Sequence, residues 1–98
     1  MWLLESDGPE SERATFRLPD GAIKTIGRAT GAEFILDAPL VSRLHCQLSA
    51  SSTTIQVKDL DSTNGTFVND KRVAGLAELK AGDVLRVGRV ELKISRQS

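Results

Sequence analysis

Apolar and polar positions alternate along this chain in short bursts, each closed by a turn residue. Trp2-Leu3-Leu4-Glu5 reads as a first strand, and the stretch from Ser6 to Glu12 follows as a polar, acidic loop with strong breakers at Gly8 and Pro9. Thr15-Phe16-Arg17-Leu18 alternates and stops at the turn signal Pro19-Asp20-Gly21. Ile23 to Ile26 alternates again and ends at Gly27, and Phe34-Ile35-Leu36 is a short apolar run between Gly31 and Pro39. His45 to Ala50 reads as a strand with Cys46 and Leu48 on one face, and Thr54 to Leu60 keeps period two through Ile55 and Val57. Phe67-Val68 and Arg72-Val73 flank Asn69-Asp70 as a hairpin. Asp83 to Val87 and Val90 to Ile94 flank Gly88-Arg89 as a second one.

No stretch carries a capped amphipathic helix of ten residues. Leu76 and Leu79 share helical spacing within Ala74 to Ala81, but Gly75 and Gly82 bracket them. About ten strands at close, regular spacing predict an all-β sandwich or barrel. There is no internal repeat and no low-complexity segment.

Length fits one domain, residues 1–98. A chain of this size buries roughly 60–65% of its unfolded surface, enough for one small core but not for a deep cofactor cavity. Thirteen Lys and Arg balance thirteen Asp and Glu. A neutral chain lacks the basic footprint of a nucleic-acid or membrane-surface binder, so neither partner is expected. Apolar runs are too short for a membrane-spanning helix or a signal-peptide core. The single Cys46 excludes an internal disulfide and fits an intracellular, cytoplasmic or nuclear setting. The start at Met1 reads as a native N-terminus, and Ser98 is compatible with a boundary inside a longer chain.

Three polar, turn-rich segments carry the chemistry: Gly27-Arg28 after a strand, Ser42-Arg43-Leu44-His45 before one, and Ser62-Thr63-Asn64-Gly65-Thr66 between two. Loops of a sandwich cluster at its two ends. Converging at one end, they bring Arg28, Ser42, Arg43, Thr63 and Asn64 together. Two guanidiniums, two hydroxyls and an amide suit a tetrahedral dianion, because arginine's planar fork can grip two phosphate oxygens at once.

The order Gly27-Arg28, Ser42-Arg43-Leu44-His45 and Thr63-Asn64-Gly65-Thr66, with Asn69 following, resembles the forkhead-associated (FHA) domain. The likeness covers nearly the whole chain, including Asp59-Leu60 through Asn69 and Leu79 through Gly88. It implies an eleven-stranded β-sandwich, non-enzymatic and without cofactor or metal, that binds threonine-phosphorylated peptides through loops at one end. It implies that Arg28, Ser42, Arg43 and Thr63 serve the phosphate and that Asn64 holds the peptide backbone. Gly27, His45 and Gly65 are expected to shape the loops. Leu40 occupies a place where some relatives carry a charge that reads the peptide beyond the phosphothreonine, so an apolar or undiscriminating preference is expected there. Asp70 stands where Gly is more usual in the hairpin. A monomeric domain is expected.

Other readings of the same residues are weaker. His45 and Cys46 as a metal pair would point to opposite faces of a strand, with no further His or Cys to join them. Ser42 and His45 as part of a hydrolase triad lack a Gly-x-Ser-x-Gly elbow. Lys71, Arg72, Arg86 and Arg89 read as a solvated face, and Trp2, Phe16, Phe34 and Phe67 as core or rim. The remaining rival is a phosphate-independent scaffolding or oligomerisation domain of the same fold.

Overall fold

The computed structural model describes residues 1–6 and 14–97, so the acidic loop after Ser6 lies outside the described residues. Eleven strands run in chain order: β1 Trp2–Glu5, β2 Thr15–Leu18, β3 Ile23–Gly27, β4 Phe34–Ile35, β5 Cys46–Ala50, β6 Ile55–Asp59, β7 Thr66–Val68, β8 Lys71–Arg72, β9 Leu76–Leu79, β10 Val84–Val87 and β11 Val90–Arg96. One sheet has the order β2-β1-β11-β10-β7-β8 and the other β4-β3-β5-β6-β9. All pairs are antiparallel except β3 with β4.

Period-two alternation builds the core. Cys46, Leu48 and Ala50 of β5 and Ile55 and Val57 of β6 point inward from one sheet. Trp2 and Leu4 of β1, Leu85 and Val87 of β10, and Val90, Leu92 and Ile94 of β11 meet them from the other. Each large side chain so buried contributes about 1.5–3 kcal/mol relative to exposure. Trp2 also donates its indole N–H to the Ser51 carbonyl in the β5–β6 turn at 2.8 Å, and Phe16 stacks on Phe34 with centroids 4.7 Å apart. Arg96 grips both carboxylate oxygens of Asp20, while the amino group of Met1 lies 3.2 Å from the same carboxylate. The Arg96 hydrogen bonds hold the Asp20 carboxyl far below the usual carboxylate range.

Three expectations from the sequence are refined. Leu76–Leu79, where the spacing predicts no element, is a strand: β9 pairs with β6, burying Leu79 and leaving Leu76 exposed. The second arm of the Asn69-Asp70 hairpin is Lys71–Arg72, one residue earlier than the alternation suggests. That turn carries φ of 48° at Asn69 and 68° at Asp70, so both central residues are left-handed, as in a type I′ turn. Asn69 supports it without glycine: its Oδ1 accepts the Val84 N–H at 2.9 Å and its Nδ2 donates to Asp83 at 3.1 Å.

Candidate functional site

Three loops meet beyond one end of the five-stranded sheet: residues 28–33 after β3, 36–45 after β4 and 60–65 after β6. Gly27 decides how closely the first two approach. A Cβ on Gly27 would stand 2.0 Å from the Arg43 carbonyl oxygen and 3.0 Å from Leu44 Cα, so only hydrogen fits. Arg28 N–H then donates to the Ser42 carbonyl at 3.0 Å, and Ala29 N–H to the Arg43 carbonyl at 3.1 Å. These two bonds bring the backbones that carry Arg28 and Arg43 together.

His45 fastens the second loop to the third. Its ring is fully buried. Nδ1 accepts the Ser42 N–H at 3.0 Å, and Nε2 lies 2.9 Å from the Gly65 carbonyl oxygen. An incoming N–H at one nitrogen and a carbonyl at the other assign the ring hydrogen to Nε2. Both nitrogens are thereby engaged, and neither faces the Ser42 hydroxyl as a base. Gly65 supplies its carbonyl from φ 87°, a left-handed backbone that a side chain opposes.

Asp59 organises the third loop from below. Its Oδ1 accepts the hydroxyls of Ser62 and Thr66, each at 2.6 Å, and its Oδ2 accepts the Ser62 N–H at 3.1 Å. The Ser62 hydroxyl oxygen in turn accepts the Gly65 N–H at 3.0 Å. Burial works to raise the pKa of Asp59, but the hydrogen bonds from Ser62 and Thr66 outweigh it and leave the carboxyl below its ordinary value. Beside it, burial and the Asp59 charge push the Cys46 thiol up to about 12.

The loops enclose a cleft of about 540 Å³ whose lining includes Arg28, Leu40, Ser42, Arg43, Thr63 and Asn64. Thus every residue assigned to ligand contact from the sequence borders one space, while Gly27, His45 and Gly65 lie behind it. Ser42 Oγ accepts the Thr63 N–H at 3.0 Å, which leaves its own hydrogen for another acceptor. Asn64 Nδ2 donates to the Leu40 carbonyl at 3.0 Å, which anchors the amide and leaves Oδ1 as an acceptor. Leu40 offers that carbonyl from φ 72°, uncommon for a leucine, with its side chain 49% exposed at the rim. Arg28 and Arg43 are exposed and make no ion pair among the described residues. Chemically, this is a set of donors for a multivalent anion, with one acceptor for a backbone N–H beside it.

Sequence reasoning missed several participants. Asp59, Ser62 and Thr66 were seen only as parts of a motif, although Asp followed by Ser three residues on is a loop-capping signal. Leu44 and Asp61 also line the cleft, and no spacing rule marks either.

Eleven strands in two sheets, with donor-rich loops gathered at one end, define an anion-receptive β-sandwich. The chain belongs to the forkhead-associated family: the FHA domain model matches residues 24–88. It is similar to the ABC transporter ATP-binding/permease protein Rv1747 of Mycobacterium tuberculosis, at 40% identity over 80 residues, covering 82% of this chain and 9% of the relative. Among solved structures, it is similar to the FhaA FHA domain complexed with the intracellular domain of Rv3910, with 34% identity, TM-score 0.82, and 96% and 99% of the two chains covered. A structure from work on phosphothreonine-dependent FHA domain interactions matches with 33% identity, TM-score 0.84, and 99% and 97% coverage. This chain spans less than a fifth of the length of the first three curated relatives it matches, at 9%, 6% and 18%.

Proposed function

We propose that this chain is a phosphothreonine-dependent interaction module that binds a phosphorylated segment of another protein in the cleft between its loops. One observation carries the reading: Arg28, Ser42 and Asn64 border a single cleft, with guanidinium, hydroxyl hydrogen and amide oxygen uncommitted among the described residues. A phosphorylated side chain brings about −1.5 to −2 charge at pH 7 and three strong acceptor oxygens. Arg28 and Arg43 match the charge, Ser42 and the Thr63 side chain serve the remaining oxygens, and Asn64 Oδ1 accepts a peptide N–H. FHA relatives described as phosphothreonine-dependent support the same ligand class.

Calorimetry with one peptide in threonine, phosphothreonine and phosphoserine forms tests this. Binding should appear only with phosphate and be strongest for phosphothreonine. Arg28→Ala should cost on the order of 2–5 kcal/mol, since it leaves a desolvated dianion under-paired. Affinity should also fall below about pH 6, where the phosphate takes its second proton. Equal binding of the three peptides would instead identify a phosphate-independent scaffold.

A further inference from the structure

The cleft contains one charge that a phosphate site does not explain. Asp61 lines the same cleft as Arg28 and Arg43, yet it pairs with neither, because no ion pair within 4.0 Å involves any of the three among the described residues. Its position is fixed from both sides. Leu60 N–H donates to the His45 carbonyl at 3.0 Å, and Ser62 is tied through its N–H and hydroxyl to Asp59. The backbone of Asp61 is left-handed, with φ 54°. That conformation favours Gly, Asn or Asp. The turn therefore accounts for a small polar residue at this place, but not for a negative charge, which an asparagine would avoid. Asp61 is exposed, and among the described residues no ion pair accounts for its carboxylate.

The charge balance of the cleft gives the carboxylate a role. Arg28, Arg43 and Asp61 are the charged members of the lining, two positive and one negative. A phosphothreonine of about −1.5 to −2 exceeds the remaining positive charge. A ligand with acidic residues beside the phosphate deepens the deficit, and one with a Lys or Arg there closes it on Asp61. We infer that Asp61 selects among phosphorylated ligands, favouring those with a basic side chain flanking the phosphothreonine and disfavouring acidic flanks. This inference rests on the phosphothreonine reading above. Selection by a repelling group as well as an attracting one is how charged interfaces commonly discriminate.

The test uses three matched phosphothreonine peptides whose flanking residues are Lys, Ala or Glu, measured by calorimetry at 150 mM salt. Wild-type protein should rank them Lys, Ala, Glu, with about three- to five-fold in affinity between the extremes for an exposed pair. Asp61→Asn should compress that span, chiefly by improving the Glu peptide. Asp61→Gly should do the same, and it suits the left-handed backbone, so agreement of the two variants separates charge from conformation. Asp70→Asn removes an equal charge at the β7–β8 turn and should leave the ranking unchanged. An unaltered span in both Asp61 variants, or a wild-type protein indifferent to flanking charge, would overturn the inference while leaving phosphothreonine recognition intact. Failure of all three peptides to bind would overturn both.

Discussion

Replacing Gly27 by alanine adds one methyl group at the point where two loops of the cleft touch. The added carbon would lie 2.0 Å from the Arg43 carbonyl oxygen, 2.8 Å from the Arg43 carbonyl carbon and 3.0 Å from Leu44 Cα. All three are backbone atoms, so no side chain can swing away to relieve the contact. The loops must part by more than about an ångström to restore an ordinary carbon–oxygen separation. The Arg28 N–H to Ser42 and Ala29 N–H to Arg43 bonds, at 3.0 and 3.1 Å, then stretch beyond bonding distance. Two lost hydrogen bonds at about 0.5–1.5 kcal/mol each, with an overpacking cost of about 1–3 kcal/mol, give roughly 2–6 kcal/mol in all. A domain of this size loses about 4–8 °C in Tm per kcal/mol, so the midpoint of thermal unfolding should fall by at least about 8 °C. Because the separated backbones carry Arg28 and Arg43, phosphopeptide affinity should fall at least about tenfold, the equivalent of 1.4 kcal/mol. Gly31→Ala is the control: its Cβ meets no atom within 4 Å, so both readouts should stay at wild-type values. Melting by circular dichroism and peptide titration check the pair. A Gly27→Ala protein with wild-type Tm and wild-type affinity would refute the claim that this close approach builds the site.

Other consequences are open to simpler measurements. Asp59 has a folded-state pKa below its ordinary value; such a group stabilises the fold above the unfolded carboxyl pKa and loses that contribution as pH falls through the folded one. Asp59→Asn should therefore be less stable than wild type at pH 7, with the gap closing toward pH 3 in denaturant titrations; a gap independent of pH would show that shape, not charge, is what Asp59 contributes. Leu40→Gly removes a left-handed leucine that costs about 1–2 kcal/mol, partly offset by the chain entropy of glycine. Its Tm should match or exceed wild type, and a fall of several degrees would mean that the half-exposed side chain packs more than it strains. Cys46, buried and with its thiol pKa pushed up to about 12, should resist alkylating reagent at pH 8 until the protein unfolds; rapid labelling of the native protein would contradict that burial.

Much of this architecture was legible in the alternation alone. Ile55 and Val57 announce β6, and Val90, Leu92 and Ile94 announce β11, because one face of each strand must be apolar for the sheets to pack. The two-residue strands β4 and β8 offer too few positions for a period, and the parallel pairing of β4 with β3 depends on a backbone return that sequence does not encode locally. The cleft was legible for a different reason: the residues that line it fall in an order that resembles the FHA family's, whereas their side-chain types alone only suggest an anion site. What supports them was harder to see. Asp59, Ser62 and Thr66 are ordinary polar residues until the loop closes and places two hydroxyls on one carboxylate oxygen. The role of Gly27 depends on the Arg43 carbonyl, sixteen residues away, which no local pattern predicts.

The imidazole of His45, bonded to Ser42 on one side and Gly65 on the other, has a kinetic consequence. With Asn64 also held by Leu40, the loops do not need to order themselves when a peptide arrives. Association should then be a single bimolecular step, its observed rate rising linearly with peptide concentration and never reaching the plateau that a slow loop rearrangement would impose. Different ligands would differ mainly in how long they stay bound, so the module would report the current level of phosphorylation with a delay set by dissociation alone.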